Sequence, residues 1–350
     1  VVKASYRIKN YLVWAAVLVA LAVFVIYALK QKNKPAATAF YFWQQDFNLT
    51  ESEQNWVDSL SIDKMYIKYF DVVWDAATKQ AKPVAVVNFN KTCSKPVVPV
   101  VYITNEVFKK TEKMNIEKLY QNITKLLLEI CNNLKPKEIQ FDCDWSDNTA
   151  EKYFKFLRLF KADLRFNDVL LSTTIRLHQV KYKSRTGIPP ADIGMLMFYN
   201  MGKLKNFETT NSIFNTNDAA KYVDFIDDYP LPLDYALPVF GWSVYFRNGK
   251  SLGILNDTYD TTLDTMSGFK QLAAKRYLVT KDQLYRGIYL KINDVIRTEF
   301  VDATLALQAA NILKKSASHQ PQTVALFHLN NRLLNTYEIS DIKNLFDIYR

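Results

Sequence analysis

Glycine is scarce in this chain, 8 in 350 residues, and none falls in a Walker loop, a GxGxxG fingerprint or a GxSxG elbow. Phosphate cradling by a glycine-rich turn and the serine-hydrolase elbow are thereby excluded as organising motifs. Cysteine is scarcer still: Cys93, Cys131 and Cys143 are an odd set without metal-ligand spacing, and they read as small core residues that leave the redox compartment open. The chain has three histidines, too few and too scattered for a metal set, so no metal and no cofactor is expected. The formal charge of +10 is misleading, because residues 1–35 hold six basic and no acidic residues, leaving +4 for the remainder. No run of Lys and Arg interleaved with aromatics follows, so a nucleic-acid partner is not expected.

What the chain does have is one long uncharged stretch and many aromatics. Residues 11–29 are 19 in a row without a charge, and at about 1.5 Å per residue they just span a hydrocarbon core of about 30 Å. They read as a single transmembrane helix within an anchor of residues 1–35. Lys3, Arg7 and Lys9 before it balance Lys30, Lys32 and Lys34 after it, so the positive-charge rule does not orient it. A cleaved signal peptide ending near Ala37-Thr38-Ala39 is the alternative; the apolar stretch exceeds the usual h-region of about 7–15 residues, which favours an uncleaved signal anchor.

Beyond residue 35, apolar runs rich in β-branched and aromatic residues alternate with amphipathic stretches, the pattern of repeated βα units. Eight runs are found: Ala39–Phe47, Lys64–Trp74, Val97–Thr104, Glu138–Trp145, Val169–Leu177, Ile193–Met201, Tyr235–Trp242 and Val324–Asn330. Helices are expected after Thr50, over about 115–134, 149–164, 218–226 and 304–315, and at 339–348. The fold class is α/β, a (β/α)8 TIM barrel over 36–350 preceded by one transmembrane helix. A long excursion over about 243–322 is either an insertion in the barrel or a small separate lobe.

In such a barrel the C-terminal strand ends carry the site, so polar and aromatic residues that close each run are the candidates. These are Asp46 on the first run, Asp71 and Trp74 on the second, and Asp142, Asp144 and Trp145 on the fourth. Arg176 and His178 close the fifth, Tyr199 and Asn200 the sixth, Trp242 the seventh, and His328 and Asn330 the eighth. Asp142 and Asp144 stand two apart, so both point into the barrel while Cys143 points out. Two inward carboxylates need Arg176 or a hydrogen-bond donor to hold them. They either brace the barrel or work on a sugar, where carboxyl groups protonate a leaving oxygen and stabilise an oxocarbenium-like centre. Trp145, Trp242, Trp74 and Tyr199 are candidate sugar-stacking platforms.

Asp142-Cys143-Asp144-Trp145 resembles the Asp-x-Asp-x-Glu strand of the family 18 chitinases, and Met197-Phe198-Tyr199-Asn200 is similar to their Met-x-Tyr-Asp segment. The resemblance implies a barrel in which Asp144 orients an acetamido group for substrate-assisted attack and Tyr199 helps to hold it. Ser146 stands where the resemblance places the general acid, and a serine cannot protonate a glycosidic oxygen. A second likeness covers nearly all of 38–350. Its segments are Ile139–Asp144, Leu171–Ile175, Ala236–Trp242 and Phe327–Leu329, which resemble a bacterial, Bacteroidetes-type family of glycoside-hydrolase-like barrels without an established activity.

Glu299, beside Arg297 in the excursion, is expected either to supply the carboxylate missing from the fourth strand or to form a surface salt bridge. The expectation is a single-pass inner-membrane protein with its barrel in the periplasm or outside the cell. It binds a glycan, peptidoglycan or a surface polysaccharide, with or without hydrolysis. Asp142, Asp144 and Glu299 are the candidate catalytic groups. The other reading is a non-catalytic degenerate barrel that serves as a scaffold subunit of an envelope protein complex.

Overall fold

The computed structural model describes residues 35–110, 115–132, 134–256, 258 and 260–350. The expected membrane helix lies outside the described residues, and among those described no helix is long and apolar enough to cross a membrane.

Eight parallel strands close into a barrel: β1 Ala37–Phe42, β2 Lys64–Asp75, β3 Val97–Ile103, β4 Glu138–Asp142, β5 Leu170–Arg176, β6 Ile193–Met197, β7 Leu233–Pro238 and β8 Thr323–Phe327. Successive strands are neighbours throughout, and β8 returns to β1 with Ala37 opposite Thr323. Closure of this kind needs every strand parallel and every crossover on the outside, which the alternating runs anticipate. Seven of the eight strands end before the corresponding apolar run does, because the last residues of the run leave the ladder. The exception is β2, which continues to Asp75 and folds back on Gln80–Val84 in an antiparallel hairpin.

β4 shows why the sequence folds this way. Glu138, Gln140 and Asp142 alternate with Ile139 and Phe141, so a polar row faces inward and an apolar row faces the helices. Phe141 packs edge-on against Phe156 and Phe160 of helix α3, Ala150–Ala162, at ring separations of 5.0 and 5.3 Å. The inward row is linked across the barrel: Tyr41 Oη donates to Gln140 Oε1 at 2.6 Å, and Gln140 Nε2 donates to Ser172 Oγ at 3.3 Å.

Helix α1, Glu51–Ser59, begins on a capping box in which the Thr50 hydroxyl accepts from the Glu53 N–H and Glu53 accepts from the Thr50 N–H. Helix α2, Ile116–Cys131, is capped by Asn115. The single helix expected over 218–226 is instead a short turn of helix, Thr216–Ala219, and a 3-10 turn, Val223–Phe225. Its polar start, Thr216-Asn217-Asp218, suits caps better than helix interiors.

Between β7 and β8 the chain builds a five-stranded antiparallel sheet. Its order is Lys250–Asn256, Gly241–Arg247, Val295–Phe300, Arg276–Val279, Phe269–Ala273. The sheet has a core of its own, including Leu255, Tyr277, Val279, Leu290 and Ile296. Gly241 pairs with Phe300 at its base, next to a Val301 N–H bonded to the Phe240 carbonyl at 3.1 Å. Helix α4, Ala303–Ser316, leads back to β8, and α5, Ile339–Asp347, closes the outer layer.

Candidate functional site

At the C-terminal ends of the strands lies an open cleft of about 830 Å³. Trp43 follows β1, Tyr102 sits on β3, and Asp142 and Arg176 end β4 and β5. Tyr199 follows β6, Phe240 follows β7 and Phe327 ends β8; all of these line the cleft. Trp242 and Asn256 reach it from the inserted sheet, and Arg286 from the turn between Gln283–Tyr285 and Ile288–Leu290.

Phe327 is the hub of an aromatic belt. Its ring lies 5.5 Å from Trp43, 5.5 Å from Tyr199 and 5.4 Å from Phe240, and Phe240 lies 5.5 Å from Trp242. Lys68, buried and paired with Asp71 at 3.0 Å, holds its ammonium 5.5 Å from the centre of the Trp43 ring. Such a belt offers ring faces to a ligand that has apolar faces of its own and polar edges.

The charged centre sits beside it. Arg176 Nε donates to Asp144 Oδ1, and its Nη2 lies 3.6 Å from Asp142 Oδ1. Asp142 Oδ1 also accepts from Thr174 Oγ1 at 2.5 Å. Burial pushes the Asp142 carboxyl up from the ordinary carboxylate range, while Arg176 works against that rise. Burial disfavours the Arg176 charge as well, but the two carboxylates hold it protonated. The Tyr199 hydroxyl is likewise pushed up by burial, with Arg176 opposing. The centre is a buried Asp142, a shared arginine and an exposed Asp144, which is an array able to accept and donate hydrogen bonds to hydroxyl and amide groups.

Of the residues singled out from the sequence, Asp142, Arg176, Tyr199, Asn200, Trp242, His328 and Asn330 line the cleft, and Asp144 joins them through Arg176. Six do not line it. Trp145 is fully buried, stacked on Tyr153 at 5.4 Å with its Nε1 donating to the Thr186 carbonyl at 2.9 Å, so it is core and no platform. Asp46 is exposed and accepts from Asn88 Nδ2 at 3.2 Å. Asp71 serves Lys68, and Trp74 lies in the β2 hairpin opposite Ala81. His178 is exposed on the short helix Leu177–Lys181.

Glu299 corrects both expectations made for it. It is 0% exposed, so it forms no surface bridge, and all its capacity is taken, so it supplies no free acid. Arg297 Nη2 lies 2.6 Å from Oε1, and Oε2 accepts from the Ser212 N–H, the Ser212 hydroxyl and Trp242 Nε1, the last at 3.1 Å. Glu299 therefore fixes the indole of Trp242 and ties the 204–212 loop to the inserted sheet.

Ser146 opens the turn into α3, with its N–H donating to Thr149 Oγ1 at 2.9 Å. Asp147 is exposed and bonded to Arg185 at 2.8 Å, a partner that holds its carboxyl below the usual range. Neither lines the cleft. Trp43, Tyr102, Phe240 and Phe327 were missed from the sequence. All four sit at strand ends, but inside apolar runs that look like core. Arg286 and Asn256 carry no local signal, because only the fold of the segment between β7 and β8 brings them to the mouth.

No protein-family model matches the chain, and no curated protein matches it. Solved structures do. A class V chitinase mutant from Cycas revoluta in complex with (GlcNAc)3 superposes with a TM-score of 0.57 at 14% identity, over 90% of this chain and 100% of that one. The spore cortex-lytic enzyme SleL of Bacillus megaterium QM B1551 gives 0.56 at 12% identity, over 91% of this chain and 74% of that one. SleL of Bacillus cereus gives 0.54 at 12%, over 91% and 75%. The chain is thus similar in fold to family 18 chitinases and cortex-lytic enzymes, with an eight-stranded parallel barrel in common.

Proposed function

We propose that this chain is a membrane-anchored barrel that binds a glycan in the cleft without hydrolysing it. The observation that carries the reading is the pairing of an aromatic belt with one buried carboxylate centre: Asp142 is the single carboxylate among the described residues lining the cleft. Rings stack on sugar faces, and Asp142, Asp144 and Arg176 bond the edges. Hydrolysis needs a carboxylic acid aimed at the glycosidic oxygen. The position that would carry it is Ser146, and Asp147 is spoken for by Arg185.

The fold relatives support a sugar class. The Cycas chitinase was captured with (GlcNAc)3 and SleL is named as cortex-lytic, so a chain containing N-acetylglucosamine, such as peptidoglycan, is the favoured ligand. In this reading residues 11–29 are an uncleaved signal anchor, which would leave the barrel outside the cytoplasm.

The test is calorimetric titration of the full chain with GlcNAc oligosaccharides and peptidoglycan fragments, with product analysis on the same samples. Binding without new reducing ends is expected, weakened about tenfold, or about 1.4 kcal/mol, in Asp144→Ala. Release of reducing ends would refute the non-hydrolytic reading. Absence of binding to every glycan would shift the weight to a scaffold role.

A further inference from the structure

At the opposite end of the barrel lies a larger cavity, about 1010 Å³. Its floor is made by residues that begin barrel strands, among them Val97, Leu170, Ile193 and Thr323. Its side wall is apolar, formed by Phe89, Ile130 and Leu134, and Leu134 is 56% exposed. Lys91, Lys95, Lys135 and Lys137 stand around it.

The charges do not cancel. Five lysines line the cavity against three carboxylates: Glu138 pairs with Lys64 at 2.7 Å, and Asp63 and Asp234 accept from the Thr38 and Thr323 N–H groups at 2.8 Å each. Lys91 donates to the Leu49 carbonyl and Lys95 lies 3.6 Å from Asp58. Lys135 and Lys137 are exposed, and neither pairs with a carboxylate among the described residues. An apolar wall topped by uncompensated ammonium groups matches an anion with a hydrocarbon tail.

The chain also enters at this end. The Ala37 N–H donates to the carbonyl of Gln322, a residue that lines the cavity, at 2.8 Å. Seven residues, 30–36, separate the uncharged stretch 11–29 from Ala37, and fully extended they span at most about 25 Å. On the proposed reading that 11–29 spans a bilayer, that bilayer lies within reach of the cavity, and its anionic headgroups attract lysines near the surface.

We propose that this cavity docks an anionic phospholipid of that bilayer, its phosphate on Lys135 and Lys137 and one acyl chain along Phe89, Ile130 and Leu134. The docked lipid presses this end of the barrel onto the membrane.

The experiment compares hydrogen exchange of the full chain in nanodiscs of phosphatidylcholine alone and of phosphatidylcholine with phosphatidylglycerol. Segments 89–98 and 128–138 are expected to exchange about tenfold more slowly only when phosphatidylglycerol is present. The double variant Lys135→Glu, Lys137→Glu should lose that protection. Equal exchange in the two lipids, or protection that survives in the variant, overturns the proposal. So does protection by inorganic phosphate alone in phosphatidylcholine discs, which would make the site one for a free anion. Glycan titration of the same samples keeps the result separate from the cleft reading, since neither lysine lies near the cleft.

Discussion

The two ends of the barrel use the same chemistry to different effect, and β4 carries both. At its first residue Glu138 accepts from Lys64 at 2.7 Å and from Tyr66 Oη at 3.0 Å, and Asp234 lies close by, almost fully buried. At its last residue Asp142 shares Arg176 with Asp144, but there the array opens on a cleft walled by Trp43, Tyr102, Phe327 and Trp242. At the first end the carboxylates and their partners satisfy one another inside the protein. At the second, exposed Asp144 and the aromatic faces retain capacity for a ligand. Buried charge alone does not distinguish a brace from a site; what distinguishes them is whether the hydrogen-bonding groups and ring faces around it are already used up.

The largest break in this contrast is expected at the support of the mouth. Glu299→Ala leaves Arg297, 1% exposed, without its carboxylate and strips an acceptor from Ser212 and Trp242. The cost should be about 4 kcal/mol in denaturant unfolding, and a loss below about 1 kcal/mol would show that the clamp is dispensable.

A somewhat smaller effect is expected at the Glu138 end, and it depends on pH. Burial raises the Asp234 carboxyl from 3.8 to about 6, partly offset by Lys64. The folded state then binds more protons than the unfolded one, so this contribution is complete below about pH 4 and is lost as pH rises through about 6. It amounts to about 3 kcal/mol at 1.36 kcal/mol per unit. Asp234→Asn should flatten the stability profile over that window, and an unchanged slope would remove Asp234 as its source.

The smallest effect sharpens the contrast without disturbing the fold. Trp242→Ala should leave the unfolding midpoint close to that of the parent but weaken glycan binding about fivefold, since stacking on an aromatic face is worth about 1 kcal/mol. Equal affinity in the variant would move the platform to Trp43 or Phe240.

The barrel was legible because period-two alternation and strand count are local properties. Asp142, Arg176 and Tyr199 were legible for the same reason, as polar residues closing apolar runs. Trp145 misled because the strand ends at Asp142, and beyond it alternation no longer says where a side chain points. Trp43 and Phe327 were hidden because an aromatic residue at a strand end reads the same whether it faces core or cleft. Glu299 was misjudged because its partners, Ser212 and Trp242, are distant in sequence and meet only through the inserted sheet.

A closed barrel has no terminal strand, so the free backbone edges of this chain belong to its appendages. Lys250–Asn256 and Phe269–Ala273 border the inserted sheet on its two sides, each with one row of amides and carbonyls unpaired by the ladder. Edges of this kind recruit strands from other molecules unless they are blunted. Here exposed Lys250 and Lys270 stand on them, and the register slips at Tyr245/Phe246 and Gln271/Ala273. Asn256 ends one of these edges and also lines the cleft. A strand added along it by a neighbouring copy would arrive at the mouth, so features that blunt this edge also guard the cleft.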